Sequence, residues 1–226
     1  MSPATTATPA ALPDPAGEER RDTPAGENAS PSERRTGGDG IRELTAAQEM
    51  RALTHPVRLA LLELLSLEGP MTATEAGERI GESPTTCSFH LRQLAKYGFV
   101  EEAGRGAGRR RPWKLVDRGL SFSGIGDEEQ SVAASELSNM LLERWLARYR
   151  SWQQVQHLDP EWAHATGTSE SAVFLTKEEA VEVREQVAAI LRRYEPRRAD
   201  PAARPEGSRP VEAVLLVHPI VDAHSL

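Results

Sequence analysis

Large apolar residues are nearly absent from residues 1–42 and recur with helical spacing from Leu44 onward. In "LTAAQEMRALTHPVRLALLELLSLEG" they predict two helices broken at His55-Pro56, because proline suits the first position of a helix. Val57, Leu61, Leu64 and Leu65 then recur at the spacing of one buried stripe. Gly69-Pro70 ends that helix. "TATEAGERIG" predicts a third, shorter helix closed by Gly81. Ser83 caps a fourth, with Pro84 at its first position and Gly98 as its stop.

The pattern then changes. Phe99 and Val100 open one predicted strand, and Trp113, Leu115 and Val116 fit a second. Gly104, Gly106 and Gly108 lie between them as the tip of a hairpin. "GLSFSGIGDEEQ" reads as a linker across 119–130. A long helix is predicted over 131–157, with Leu137, Leu141, Trp145, Tyr149 and Trp152 along one stripe. "SAVFL" at 171–175 and "VEAVLLV" at 211–217 are apolar enough to predict strands. Thr176 with Glu179 forms a capping box for a helix between them, its face carrying Ala180, Val183, Val187, Ile190, Leu191 and Tyr194.

This order predicts a mainly α chain with small β elements, an α+β class. Its expected divisions are a tail at 1–42, a helix-and-hairpin domain at 43–118, the linker, and a region at 131–226. The tail is expected to be disordered, since it lacks the apolar surface that would offset its ordering entropy. The 131–226 region is expected to be helical with some strand. Its aromatic stripe is expected to serve dimerisation, the other reading being a pocket lined by Trp145, Trp152 and Trp162 for a small-molecule effector.

Charge sharpens the picture locally. The formal net charge is −7, which excludes a uniformly basic chain. Between Pro84 and Arg118, however, eight Lys/Arg face three acids, a local +5. Arg105, Arg109, Arg110, Arg111 and Lys114 supply most of it, in or beside the hairpin tip. Concentrated positive charge of this kind suits phosphate contact. On a helical wheel of 83–98, Cys87, Leu91 and Leu94 gather on one side. Thr85, Phe89, Arg92 and Lys96 occupy the other, flanked by Thr86, Ser88 and Gln93. Hydroxyls, amides, Arg and an apolar ring are the groups that read base edges in a DNA major groove. His90 lies on the flank, as either a core-edge hydrogen-bonder or a DNA contact.

"THPVRLALLELL", "SPTTCSFHLRQLAKYGFVEE" and the basic hairpin together resemble the winged helix-turn-helix of ArsR-type transcription regulators, over about residues 44–118. The resemblance implies a homodimer that binds double-stranded operator DNA and usually represses. It implies a recognition helix at 83–97 and a wing at 99–116. The chain departs from the metal-sensing branch, whose Cys-x-Cys pair has no counterpart in "TATEAGERIG". Cys87, the single cysteine, is expected in the core. His157, Asp159, Glu161 and His164 are expected to be solvated, the alternative being an oxygen/nitrogen metal site shared across a dimer. No metal or cofactor is therefore expected. With no phosphate loop and no nucleophile beside a base, no catalytic residue or enzyme activity is expected either. The runner-up function is a winged-helix protein-interaction module. No apolar run is long enough to span a membrane and the N-terminus lacks a signal-peptide pattern, so a cytoplasmic location is expected.

Overall fold

A computed structural model describes residues 40–104 and 111–221. Its first element is one the hydrophobic pattern did not announce. Strand β1 (Ile41–Leu44) leads into helix α1 (Ala47–Leu53). Helix α2 (Pro56–Glu68) follows the expected break, with the His55 ring accepting a hydrogen bond from the Val57 amide at 3.2 Å. Gly69, at φ 85°, closes α2. Helix α3 (Ala73–Ile80) starts on a reciprocal capping box between Thr72 and Glu75 and stops at Gly81 in the left-handed region. Helix α4 (Pro84–Lys96) starts on Ser83, whose hydroxyl accepts from the Thr86 amide at 3.0 Å.

The turn between α3 and α4 is tight. A Cβ on Gly77 would lie 2.5 Å from the Glu82 carbonyl oxygen. The same turn is closed by the Glu82 amide donating to the Gly77 carbonyl at 3.0 Å. Glycine is needed there for close approach, since its backbone is ordinary helix.

Strands β2 (Val100–Glu102) and β3 (Trp113–Leu115) form the expected antiparallel hairpin, pairing Val100 with Leu115 and Glu102 with Trp113. Met71 and Trp113 exchange backbone hydrogen bonds at 3.1 and 2.7 Å, so the segment before α3 is stitched to the hairpin root. Strand β4 (Gly119–Phe122) then pairs in parallel with β1, Ile41 opposite Gly119 and Leu44 opposite Phe122. The segment 119–130, expected to be linker alone, therefore contributes a strand, and the order expected to begin near Leu44 begins earlier. The rest of the expected tail lies outside the described residues. Helix α5 (Glu128–Val155) opens on a capping box of Asp127 and Gln130.

One core joins these elements. Leu44, Met50, Leu53, Leu59, Leu61, Leu65, Cys87, Leu91, Leu94, Phe99 and Val100 are buried together. Ala133, Ala134 and Leu137 of α5 join them where that helix packs on α1. Leu137, expected in a dimer stripe, is thus 1% exposed within its own chain. Leu141 packs partly on the same core, whereas Trp145 and Trp152 are half-buried and Tyr149 is exposed.

Arg42 of β1 is a charged side chain buried in the fold, at 2% exposure. Its guanidinium donates to the Tyr97 carbonyl at 2.9 Å, pairs with the Glu49 carboxylate, lies 3.9 Å from Asp117 and sits 4.7 Å over the Phe99 ring. Four residues, from α1, the segment between α4 and β2, and the turn after β3, converge on this one side chain. The fork geometry of guanidinium suits such multiple partners.

Past Val155 the packing thins. Helices α6 (Pro160–Ala165) and α7 (Lys177–Arg192) bury no residue, and a short α8 (Pro196–Ala199) follows. The two expected strands are absent: 171–175 and 211–217 are irregular, and Val173, Phe174, Val214 and Leu216 are exposed. A strand needs a partner edge for its backbone groups, and neither segment pairs with one. Polar contacts hold the region instead. Glu63 of α2 accepts from Arg144 at 3.1 Å and from Arg148 at 2.9 Å, and Arg148 also grips Glu212. The Trp152 indole donates to Thr166 at 3.3 Å. No described helix is long and apolar enough to cross a membrane.

Candidate nucleic-acid interface

Helix α4 divides its residues sharply between inside and outside. Cys87, His90, Leu91 and Leu94 are buried at helical spacing against α2 and α3. Cys87 is wholly inaccessible, and burial with the nearby Glu82 charge pushes its thiol pKa up. A thiol held protonated and out of reach is neither nucleophile nor metal ligand. Among the described residues no group of three or more candidate ligands clusters for a metal ion.

His90 is the correction to the expected face. It was a candidate DNA contact, but it is 7% exposed. Its ring lies 4.3 Å from that of His55 at the start of α2, tilted by 36°. Burial lowers the pKa of both rings, and for His90 the His55 and Arg58 charges lower it further, with Glu82 opposing. The two imidazoles, both biased toward the neutral form, lie against each other between α4 and the start of α2. The wheel placed His90 on the flank, which left a core-edge role and a DNA contact both open. His90 Nδ1 has no hydrogen-bond partner among the described residues.

The opposite face is open. Thr85, Phe89, Arg92 and Lys96 are exposed, with Ser88 and Gln93 half-buried beside them. Phe89 keeps 51% of its surface exposed and touches the buried His90 ring edge-on, centroids 5.2 Å apart. Thr86 is turned back toward the cap, its hydroxyl 2.8 Å from that of Ser83. The outward set thus holds two cations, an amide, hydroxyls and one ring along about 20 Å of helix.

The hairpin lies beside this helix through the α4–β2 junction. Lys114 pairs across the strands with Glu101 at 3.0 Å, and Arg111 reaches Glu102 at 3.5 Å. All four side chains are largely exposed. Exposed ion pairs contribute about 0–1 kcal/mol, so a phosphate could replace either carboxylate at little cost. Arg105, Arg109 and Arg110 lie outside the described residues. Arg42 and Met71, which brace the helix exit and the hairpin root, were missed by the sequence analysis. An isolated Arg in a polar leader and a lone Met after Gly-Pro carry no periodic signal.

Residues 53–103 match the family described as a helix-turn-helix domain. No curated protein matches the chain. Among solved structures, the chain is similar to the winged helix-turn-helix fragment of Mb0332 from Mycobacterium bovis, a possible ArsR-family regulator. Identity there is 23% over 43% of this chain and 76% of that one, with a TM-score of 0.29. The transcriptional repressor BigR from Xylella fastidiosa is also 23% identical, over 43% of this chain and 84% of that one, with a TM-score of 0.27. NMB1585, a MarR family regulator from Neisseria meningitidis, is 18% identical over 61% and 80%, with a TM-score of 0.29.

Proposed function

We propose that the chain is a sequence-specific DNA-binding transcription regulator of ArsR type, acting as a homodimer and repressing its target. The observation that carries this reading is the two-sided α4: a wholly apolar and imidazole inner face, and an outer face of Thr85, Phe89, Arg92, Gln93 and Lys96 beside a basic hairpin. The helix-turn-helix match over 53–103 supports the same reading. In it, α4 enters the major groove and the hairpin lies along phosphates. No catalytic role is assigned to any residue, and any small-molecule effector acts by shifting DNA affinity.

The test is binding of the full chain to its own promoter fragment across a salt titration, with Arg109, Arg110 and Arg111 changed to Ala in a second protein. Each lost phosphate contact should reduce the slope of log K against log salt by about 0.9. An unaltered slope removes the hairpin from the interface. No preference for the promoter over random duplex would leave the protein-interaction reading in its place.

A further inference from the structure

Helix α7 poses a physical problem. It has 16 residues, and none of them is buried. Isolated helices of about this length are marginal in water, and most helices owe their stability to an apolar face packed on something. α7 has such a face. Ala180, Val183, Val187 and Ile190 of the helix, with Tyr194 in the turn just past its end, recur at alternating spacings of three and four, the seam of a two-helix coiled coil. Val183, Ile190 and Tyr194 are all exposed, and apolar exposure continues into Val173, Phe174 and Leu175 just before the helix.

The charges flanking that seam are ordered. Residues 177–185 hold four glutamates against two cations, whereas 186–198 hold four arginines against one glutamate. On the edge of the seam next to the Ala180, Val187 and Tyr194 positions, the sequence reads Glu179, Gln186, Arg193. This edge is self-complementary when two copies run antiparallel. Glu179 then meets Arg193 of a second copy at one end, Arg193 meets the second copy's Glu179 at the other, and two Gln186 amides meet on the axis. A parallel pair would instead set this edge against the opposite one, matching Glu179 with Arg184 but Arg193 with Arg198, so Arg193 would lack an acidic partner. Arg192 and Arg193 make no ion pair among the described residues, so they are free for this role. The other edge brings Arg184 against its own copy, which costs no more than one screened surface pair.

We infer that α7 is an interface for a second copy of this chain, pairing antiparallel about a two-fold axis through its middle near Gln186. This surface is isologous, since the same patch serves both subunits. The inference deepens the homodimer part of the proposed function. Its test contains no DNA, so a failure of DNA binding and a failure of pairing appear separately.

The experiment is sedimentation of the full chain and three variants across a dilution series, with circular dichroism as a check on folding. Glu179→Arg makes both ends of the edge basic, and Arg193→Glu makes both acidic. Each should raise the dimer dissociation constant by about tenfold, since two pairs turn repulsive at once. The Glu179→Arg/Arg193→Glu double variant should recover most of the lost affinity, because the complementary match is rebuilt with the ends exchanged while only the cap stays lost. Mixing the two single variants should give a heterodimer tighter than either homodimer. Glu179 also caps the helix through the Thr176 amide, at 2.7 Å, so a lost cap predicts no rescue by the second substitution. Failure of the double variant to recover therefore overturns the inference. So does a wild-type protein that stays monomeric, or single variants that dimerise as tightly as the wild type.

Discussion

Replacing Arg42 by Met should cost more stability than any surface change in the protein. The substitution keeps most of the side chain's apolar volume and removes its charge and donors. Three interactions go together. The hydrogen bond to the Tyr97 carbonyl at 2.9 Å is charge-assisted, a class that contributes about 1.5–3 kcal/mol. The position 4.7 Å above Phe99 adds a cation–π contribution of about 1 kcal/mol or more in a desolvated setting. The largest effect is on the partner left behind, since the partly buried Glu49 carboxylate loses its cation. Removing one member of a buried ion pair typically costs about 3–5 kcal/mol, and because these effects overlap, that range is the expected total. A domain of ordinary stability, about 5–15 kcal/mol, would lose at least about a fifth of it. Arg42→Lys keeps the charge but loses the fork, and should fall between the two. Urea denaturation followed by circular dichroism measures all three proteins. A loss under about 1 kcal/mol for Arg42→Met would show that β1 is not pinned through this side chain and that its burial is incidental.

Three further outcomes are expected. Phe89→Ala should cost at most about 1 kcal/mol of stability, since half the ring is already exposed, yet weaken promoter binding by about 1–3 kcal/mol at one base position; a large drop in melting temperature with unchanged base preference would refute the contact role. Cys87 should resist alkylation in the native protein and react on unfolding, while Cys87→Ser should destabilise by about 1–3 kcal/mol through a buried hydroxyl; rapid native labelling would contradict its inaccessibility. The His55 and His90 pKa values are lowered in the fold, so below the ordinary value near 6.5 the unfolded chain takes up protons first. Stability should therefore be full above about pH 6.5 and decline as pH falls below it, with a shallower decline in His90→Met; equal slopes in the two proteins would remove the imidazole pair as the cause.

Much of the helix-turn-helix was legible because its signals are local. Ser83-Pro84, Gly81 and Gly69 mark element ends through backbone preferences that need no tertiary context. The inward position of Cys87, Leu91 and Leu94 follows from helical spacing alone. Four things were not legible, each for a physical reason. His90 and Arg42 are polar, and nothing local distinguishes a polar residue that finds buried partners from one that meets water. Strand β4, "GLSF", is four residues long and begins with glycine, so it lacks both length and β propensity; it exists because β1 offers it an edge. The converse failed at 171–175 and 211–217, where β-branched and apolar residues predict strands but no edge is present. Leu137 lay on a true stripe, but periodicity cannot say whether the surface it meets belongs to the same chain.

The parallel ladder between β1 and β4 has a consequence for the order in which the chain folds. Ile41 meets Gly119 about 80 residues further on, whereas α3 and α4 meet across a turn of a few residues. Closing a loop that long costs entropy before any contact rewards it, so the four-residue ladder should form late, after the helices and hairpin have collapsed. The same asymmetry runs in reverse. The ladder should open at lower free energy than the core does, and amide protons of 41–44 and 119–122 should exchange through that partial opening while those of α2 and α4 wait for global unfolding. Arg42 sits within the ladder, so it is the clasp that sets how often this end of the domain comes undone.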